Sequence, residues 1–396
     1  MNLIRLSPQL LEPYNALPFD VYDARGRLLL AAGRGIDGAT RAHLQRWDLY
    51  ADAAQSRVWR ERVALARWRA RQGRHATPGE SAPAAARVEP PRLSLAQEWT
   101  MLAMALESAL REPLPDGAWV REAQAVRLRA RHVAAQASDA SLCHLIYTAG
   151  LHTNLYSCHQ ALRRLLVAGG CARVLGWSEA QVASLECAAL TMNVALRQLQ
   201  DMLTQRDTGL SAGLRQQVVQ NPREGARLLA AAGVADPVWL GAVLLHREAP
   251  RTAQPLAALA PAQQAAWLLR RVDMLCAKLS RRGRRAPLNG LQAMREACLG
   301  PEGQSDEIGA ALLQTLGLYP PGSFVRLASG ETALVLARGR RACAPLAGAF
   351  ADADGLPLPA PRLRDTAQPE FAVEGASDPA RVLVRPNHEK LLALLR

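Results

Sequence analysis

The chain has 396 residues, of which 49% are apolar and 21% charged, a balance that is typical of globular proteins and excludes a disordered or collagen-like chain. Lysine and arginine number 48 against 35 aspartate and glutamate residues, which gives a net charge of +13, and arginine supplies nearly all of the positive charge. The length is sufficient to bury a core and allows about two or three domains.

Seven cysteines occur along the chain without a CxxC spacing. An odd number cannot be fully paired, and several lie in apolar helical stretches, where a free cysteine packs as a small hydrophobe. We therefore expect reduced thiols and a cytoplasmic protein. The N-terminus lacks the apolar core of a signal peptide, and the longest apolar stretch is interrupted at Asp236 and Pro237, so no membrane span is predicted.

The first predicted unit covers residues 1–54. Its alternating apolar residues over 19–30, with a turn at 23–26, predict a β-hairpin, and a short helix is predicted at 38–47. Residues 55–94 begin with an Arg-rich helical pattern and continue as a segment rich in Gly, Pro and Ala, which is typical of a flexible linker.

Residues 95–316 have an almost purely helical pattern, because apolar residues recur at spacings of three and four. Ser178 and Gln181 form a capping box, which predicts a helix start. The Gly169-Gly170 pair predicts a helix end. The predicted helices span 98–111, 119–136, 141–168, 178–203, 223–232, 237–247, 261–280, 290–298 and 306–316.

From residue 317 to residue 396 the sequence period changes to two, which predicts a small β-rich unit. Residues 323–336 predict a hairpin with its turn at Ser329-Gly330. Further short strands are predicted near 346–350 and 381–385, with a Pro-rich loop between them. The predicted fold class is mainly α, a helical bundle with a small β-containing unit before it and a small β-rich unit after it.

Two strings of this sequence resemble the HD-GYP family, bacterial signalling proteins whose helical domain hydrolyses cyclic di-GMP at bound metal ions. Residues 317–331 (GLYPPGSFVRLASGE) resemble the segment that follows the catalytic helices of that family. Residues 18–30 (PFDVYDARGRLLL) resemble the accessory segment often found ahead of them. The resemblance covers about 18–50 and 140–340, and it implies an HD-type helical bundle.

Matched position by position, the resemblance implies a partial set of metal ligands. The expected residue types are present at His152, His246 and Asp273. Imidazole and carboxylate groups bind Mn, Fe or Zn, so these three residues could hold one divalent ion weakly. The alternative is that they are polar helix residues satisfied by hydrogen bonds. The spacing also places His152 and His159 on one face of the predicted helix, as a metal clip or as an ordinary polar face.

At other matched positions the ligands are replaced, and these degenerate positions are Met192, Asn193, Asn221 and Arg247. A thioether and neutral amides cannot hold hard dications close together, and Arg247 places a positive charge where a cation should lie. The GYP loop of the family is also missing from residues 249–255. The sequence therefore predicts a pseudoenzyme without a cofactor or an efficient binuclear centre.

The resemblance implies a signalling role, in which the chain binds a partner protein or a cyclic dinucleotide without efficient hydrolysis. Partners in the family include diguanylate cyclases of the GGDEF type, and such a protein is one candidate here. The alternative from the enzyme class is a metal-dependent cyclic di-GMP phosphodiesterase with a single ion at His152, His246 and Asp273.

A third interpretation is a basic nucleic-acid-binding module. One Arg run lies within 60–71, and a second consists of Arg281, Arg282, Arg284 and Arg285. Guanidinium groups bind phosphate oxygens in pairs, so either run could bind an anion, although a solvated basic face is the plainer interpretation. Nucleic acid is the least favoured partner, because no helix-turn-helix or zinc-finger pattern is found.

Overall fold

A computed structural model describes the greater part of the chain, in two compact units, Met1–Pro91 and Arg92–Arg396. The described residues are 3–6, 20–24, 26–30, 44, 48–52, 56, 94–151, 153–204, 211–248, 254–282, 285–300, 303–382 and 384–395. The predicted helix at 38–47 lies, except for Leu44, outside the described residues. The Arg run within 60–71 and the predicted linker that follows it also lie outside them. The finer division at 316/317 stays a prediction.

The first unit contains a small antiparallel sheet with the order β1-β4-β2-β3. Its strands are β1 (Leu3–Leu6), β2 (Val21–Tyr22), β3 (Leu28–Leu30) and β4 (Leu49–Asp52). The predicted hairpin is confirmed as β2 and β3. Its turn is held by Asp23, whose Oδ1 accepts the Arg27 backbone N–H at 2.9 Å, and Gly26 supplies the left-handed φ of +76°.

The second unit is mainly helical before residue 317. Its helices are α1 (Leu95–Ala109), α2 (Ala118–Gln136), α3 (Ser138–Leu151), α4 (Tyr156–Val174), α5 (Glu179–Thr191), α6 (Arg197–Leu203), α7 (Ala212–Ala231), α8 (Pro237–Leu245), α9 (Pro261–Lys278), α10 (Gly290–Cys298) and α11 (Glu307–Leu316). The predicted capping box at the start of α5 is confirmed, because Ser178 Oγ accepts the Gln181 N–H at 3.3 Å and Gln181 Oε1 accepts the Ser178 N–H at 2.9 Å.

The predicted single helix over 141–168 is wrong, because α3 ends at Leu151 and α4 begins at Tyr156. Leu155 adopts a left-handed φ of 47° between them. The first turn of α4 is capped from a distant part of the chain, since the Ser157 backbone N–H donates to Asp201 Oδ1 at 2.7 Å. The continuous helix on which His152 and His159 were predicted to share a face is therefore not present, and His152 itself lies outside the described residues.

The predicted helix over 178–203 is also broken, into α5 and α6 with a short 3-10 turn at Val194–Leu196 between them. In contrast, the predicted helix end at Gly169-Gly170 is wrong, because α4 continues to Val174. A Cβ on Gly169 would lie 2.6 Å from Glu186 Oε1, and one on Gly170 would lie 2.6 Å from Thr315 Cγ2. The two glycines thus allow α4 to approach α5 and α11 closely.

Helix α7 begins earlier than its predicted start at 223. Ser211 caps it by accepting the Leu214 N–H at 3.3 Å, and Pro222 lies inside the helix. The additional first half is largely exposed and has no apolar stripe, which is why the sequence pattern did not indicate it.

The C-terminal part forms an antiparallel sheet with the order β8-β7-β6-β5-β9. Its strands are β5 (Phe324–Leu327), β6 (Thr332–Arg341), β7 (Ala344–Ala351), β8 (Pro357–Asp365) and β9 (Val373–Ala376). The predicted hairpin and the strand near 346–350 are confirmed. The predicted Pro-rich loop is wrong, because this segment forms the edge strand β8. On the outer side of an edge strand no neighbouring strand needs a backbone N–H, so a proline there loses no hydrogen bond of the sheet. The predicted strand at 381–385 is also wrong for its described residues.

A short helix, α12 (His388–Leu392), packs its Leu391 and Leu392 with Tyr147 of α3 and with Phe324 and Phe350 of the sheet. The mainly α fold class with small β units before and after the helices is therefore confirmed. All seven cysteines are unpaired, and five of them are buried. Within the described part of the chain, none of the helices combines the length and the apolar character that crossing a bilayer requires.

Candidate functional site

The matched ligand positions that the structure describes lie on, or at the ends of, helices that pack around one another. Helix α4 packs against α5 and α9, and α8 packs against α5, α7 and α9. This arrangement brings together the end of α5, the middle of α7, the end of α8 and the middle of α9. These segments carry five of the matched positions: Met192, Asn193, Asn221, His246 and Asp273.

On one side of this site, Asp273 of α9 is held by two side chains of α4. Arg164 Nη1 donates to Asp273 Oδ1 at 2.8 Å, and Gln160 Nε2 donates to the same oxygen at 3.3 Å. The Arg164 side chain is 1% exposed and that of Asp273 is 33% exposed. Burial raises the pKa of Asp273, but the charge and hydrogen bond of Arg164 outweigh it, so that the pKa is lowered and the carboxylate stays ionised.

A second guanidinium, that of Arg163, is buried beside this pair. Its Nη2 donates to Gln160 Oε1 at 2.6 Å and to Ser280 Oγ at 2.8 Å, and its Nη1 donates to Leu145 O at 3.3 Å. Burial lowers the pKa of Arg163. Of the two adjacent arginines of α4, Arg164 therefore contacts the carboxylate of Asp273 directly, and Arg163 is linked to it only through Gln160.

His246 caps the end of α8 and is 4% exposed. Its Nδ1 lies 2.7 Å from Val243 O, and because a carbonyl oxygen only accepts, Nδ1 carries the proton. The Nε2 atom is buried and has no hydrogen-bond partner among the described residues. Burial lowers the pKa of His246 to about 4, so that the ring is neutral near pH 7 and Nε2 presents a lone pair.

On the other side of the site, neutral amides join α7 to the end of α5. Asn221 Nδ2 donates to Met192 O at 3.0 Å and to Asn193 Oδ1 at 3.1 Å. The three residues are 6% exposed or less. Gly225, one turn further along α7, leaves room for α8, because a Cβ there would lie 3.3 Å from Val243 Cγ1.

Arg247 follows His246 and is exposed. Its carbonyl oxygen accepts a hydrogen bond from Arg270 Nη1 at 2.6 Å, and burial lowers the pKa of its guanidinium while nearby Asp273 raises it. Its positive charge is thus close enough to interact with Asp273, although the two side chains make no direct ion pair.

The second Arg run does not converge on this site as one patch. The backbones of Arg282 and Arg285 are hydrogen-bonded to each other, and Arg284 lies outside the described residues. Arg282 Nε donates to Tyr156 Oη at 2.7 Å, with its guanidinium carbon 5.3 Å from the ring centre. Arg281 is directed elsewhere and lines a separate pocket.

The sequence interpretation missed Gln160, Arg163 and Arg164. A signal was present, because two consecutive arginines interrupt the otherwise apolar stretch 161–168 of α4. Charged residues inside an apolar helix stretch indicate a buried ion pair or a site, since such groups are almost never fully buried without a partner.

The side chains present do not fit a binuclear metal centre. Among the described residues, no three His, Cys, Asp or Glu side chains come together in a group that could hold a metal ion. His246 Nε2 is a suitable donor, but Asp273 Oδ1 faces a guanidinium at 2.8 Å. The amide pair of Asn193 and Asn221 is neutral and bonded to itself. The candidate single-ion site additionally needs His152, which is outside the described residues.

No protein-family model and no curated protein matches this chain. A solved structure, that of Bd1817, an HDG"Y"P protein from Bdellovibrio bacteriovorus, is similar to it with a TM-score of 0.44 and 11% sequence identity. The similarity covers 79% of this chain and 99% of that chain.

Proposed function

We propose that this chain is a degenerate HD-GYP-like signalling protein that binds a cyclic dinucleotide or a partner protein, such as a GGDEF-type cyclase, without efficient hydrolysis. The observation that supports this most strongly is the contact between buried Arg164 and Asp273 at 2.8 Å. A guanidinium from the protein itself neutralises the carboxylate that would otherwise bind a metal ion.

The electrostatic argument can be given a magnitude. A dication bound to Asp273 Oδ1 would lie within about 5 Å of the Arg164 guanidinium, since carboxylate–metal bonds are about 2 Å long. At that separation and an effective dielectric constant of about 20, the repulsion between a dication and the guanidinium is about 7 kcal/mol. A second ion would meet the neutral pair of Asn193 and Asn221 instead of a bridging carboxylate.

The groups that remain are suited to hydrogen bonding. The partly exposed carboxylate of Asp273 has acceptor capacity beyond the bonds from Arg164 and Gln160. The edge of a guanine base presents N–H donors to such acceptors. Arg247, which is exposed next to them, supplies a charge for a phosphate group.

The experiment measures cyclic di-GMP binding by calorimetry and its hydrolysis by chromatography, each with and without manganese. We expect saturable binding that does not need the metal, and no turnover. Arg247→Gln should weaken binding, whereas Arg227→Gln, an exposed arginine of α7 paired with Glu224, should not change it. Manganese-dependent turnover by the wild type, lost on chelation, would overturn the proposal.

The enzyme alternative is favoured by one observation, the unpartnered Nε2 of His246. In that case a single ion bound by His152, His246 and Asp273 would polarise a phosphodiester or its attacking water. Hydrolysis would then be abolished by His246→Gln, and bound metal would approach one ion per chain. Neither result is expected under the binding proposal.

A further inference from the structure

A pocket lies away from the site described above, where the end of α3, the end of α9 and the start of the C-terminal sheet meet. Its volume is about 90 Å³. Its walls are mostly apolar, with Ile146, Tyr147, Leu279, Pro287 and Phe324 among its lining residues. At about 10–15 Å³ for each water molecule, the space corresponds to about six to nine waters, which is enough for a small organic molecule.

Two arginines line this pocket, Arg281 from the second Arg run and Arg385 from the segment before α12. Both are exposed, and neither forms an ion pair with a residue that the structure describes. The segments that carry them are hydrogen-bonded to α3: the Arg281 N–H donates to Ala149 O at 2.9 Å, and Tyr147 Oη donates at 3.2 Å to the carbonyl oxygen of Pro386, the residue after Arg385.

The lack of acidic partners distinguishes these two residues from other arginines of the same unit. Arg338 pairs with Asp139 at 2.8 Å, and Arg326 pairs with Glu374 at 3.1 Å. Two positive charges on one pocket repel each other unless an anion lies between them. Each guanidinium offers five N–H donors in a geometry that matches phosphate and carboxylate oxygens.

A buried hydroxyl in the same pocket also lacks a partner. Ser323 lines the pocket and is 6% exposed, and its Oγ makes no hydrogen bond. Its backbone is satisfied, since its N–H donates to Pro320 O at 3.0 Å and its carbonyl accepts the Val335 N–H at 2.9 Å. A buried hydroxyl without a partner is unfavourable, and an acceptor inside the pocket would remove that cost.

We propose that this pocket binds a small organic anion. Its apolar body would lie against Tyr147 and Phe324, and its phosphate or carboxylate group would be bound by Arg281 and Arg385 with the help of the Ser323 hydroxyl. The pocket shares no residue with the site around Asp273, so this inference does not depend on the proposed function.

The test is a ligand-observed NMR titration of the full chain with four probes: phenyl phosphate, benzoate, inorganic phosphate and phenol. We expect saturable binding of an aromatic anion, about tenfold tighter than binding of inorganic phosphate or phenol, because both halves of the pocket contribute. The tighter binder of phenyl phosphate and benzoate shows whether the pocket prefers a phosphate or a carboxylate group.

Arg281→Gln and Arg385→Gln should each weaken binding about tenfold, which corresponds to the loss of a charge-assisted hydrogen bond. Arg362→Gln, an exposed arginine of β8 outside the pocket, is the matched control and should not change it. Gly150→Leu should block the pocket, because a Cβ at Gly150 lies in ordinary contact with Pro287 at 3.5 Å. Should that variant unfold, the two surface arginine variants still decide the outcome.

Equal binding by the wild type and by the double variant Arg281→Gln, Arg385→Gln would overturn the proposal. It would also be overturned if the aromatic anions bind no more tightly than inorganic phosphate, since the basic chain would then be attracting anions without a specific pocket.

Discussion

The two halves of the candidate site satisfy their buried polar groups in opposite ways. Between α4 and α9 the charge is retained, because Asp273 stays ionised and is neutralised by Arg164. Between α5 and α7 the groups are neutral, and Asn221 bonds Asn193 and the backbone of Met192. In both halves, polar contacts that need no metal ion join two helices. Breaking the contact between Arg164 and Asp273 leaves an unpaired charge, whereas breaking the amide contacts of Asn221 does not.

This difference has an energetic consequence. Removing one member of a buried ion pair leaves an uncompensated charge, which costs several kcal/mol, whereas removing one neutral hydrogen bond costs about 1 kcal/mol. The stability of the two halves should therefore respond unequally to comparable substitutions.

The largest effect is expected from Arg164→Met. It leaves Asp273 without its cation and should lower the free energy of unfolding by about 3 kcal/mol, at the low end of the range for buried pairs because Asp273 is partly exposed. The double variant Arg164→Met, Asp273→Leu should recover most of this loss, since it removes both charges. Urea denaturation of the three proteins measures it, and a loss below about 1 kcal/mol for the single variant would contradict the assigned role.

The next effect concerns pH and His246. Its pKa of about 4 in the folded protein lies below the value of about 6.5 in an unfolded chain, so protonation favours unfolding. The neutral ring stabilises the folded protein fully above pH 6.5, and this stabilisation is lost as the pH falls toward 4. At pH 5 the loss amounts to about 2 kcal/mol of the free energy of unfolding.

Because the pKa of His388 is also lowered by burial, the pH dependence of the wild type alone is not specific. The difference between wild type and His246→Gln isolates the contribution of His246. Parallel stability curves for the two proteins between pH 7 and pH 5 would show that the imidazole is not buried as described.

A smaller effect than that of Arg164→Met is expected in the neutral half. Asn221→Ala removes both hydrogen bonds that join α7 to the end of α5 and should cost about 2 kcal/mol, about 1 kcal/mol for each bond. Gln217→Ala, one turn earlier on the same helix and exposed, is the matched control and should be nearly neutral. If Asn221→Ala proves as costly as Arg164→Met, the contrast between the two halves is wrong.

The smallest effect on stability is expected for Arg247→Gln. The residue is exposed and makes no direct ion pair with a described residue, so the free energy of unfolding should change by less than about 0.5 kcal/mol. A large loss of stability, measured by thermal denaturation, would place Arg247 in the buried network rather than at its edge.

Much of the fold could be predicted from sequence because the signals are local. The capping box at Ser178 and the turn that joins β5 to β6 depend on residues a few positions apart. The break before α4 could not be predicted in this way, because Asp201 caps the Ser157 N–H from 44 residues away. The prolines of β8 likewise indicated a loop, since only the sheet order shows that they lie on an edge strand.

The site shows the same limit. The resemblance indicated Asp273 and the replaced positions, but it did not indicate what neutralises the carboxylate. Arg164 is 109 residues away in sequence, and its contact with Asp273 depends on how α4 packs against α9. Periodicity and spacing carry no information about such a contact.

The most direct test of the central claim, that a protein guanidinium neutralises Asp273 in place of a metal ion, is a crystal structure from manganese-containing solution with anomalous scattering recorded. We expect no manganese bonded to Asp273, with Arg164 still donating to its Oδ1. Two manganese peaks side by side at Asp273, bridged by protein oxygens and with Arg164 displaced, would contradict the account.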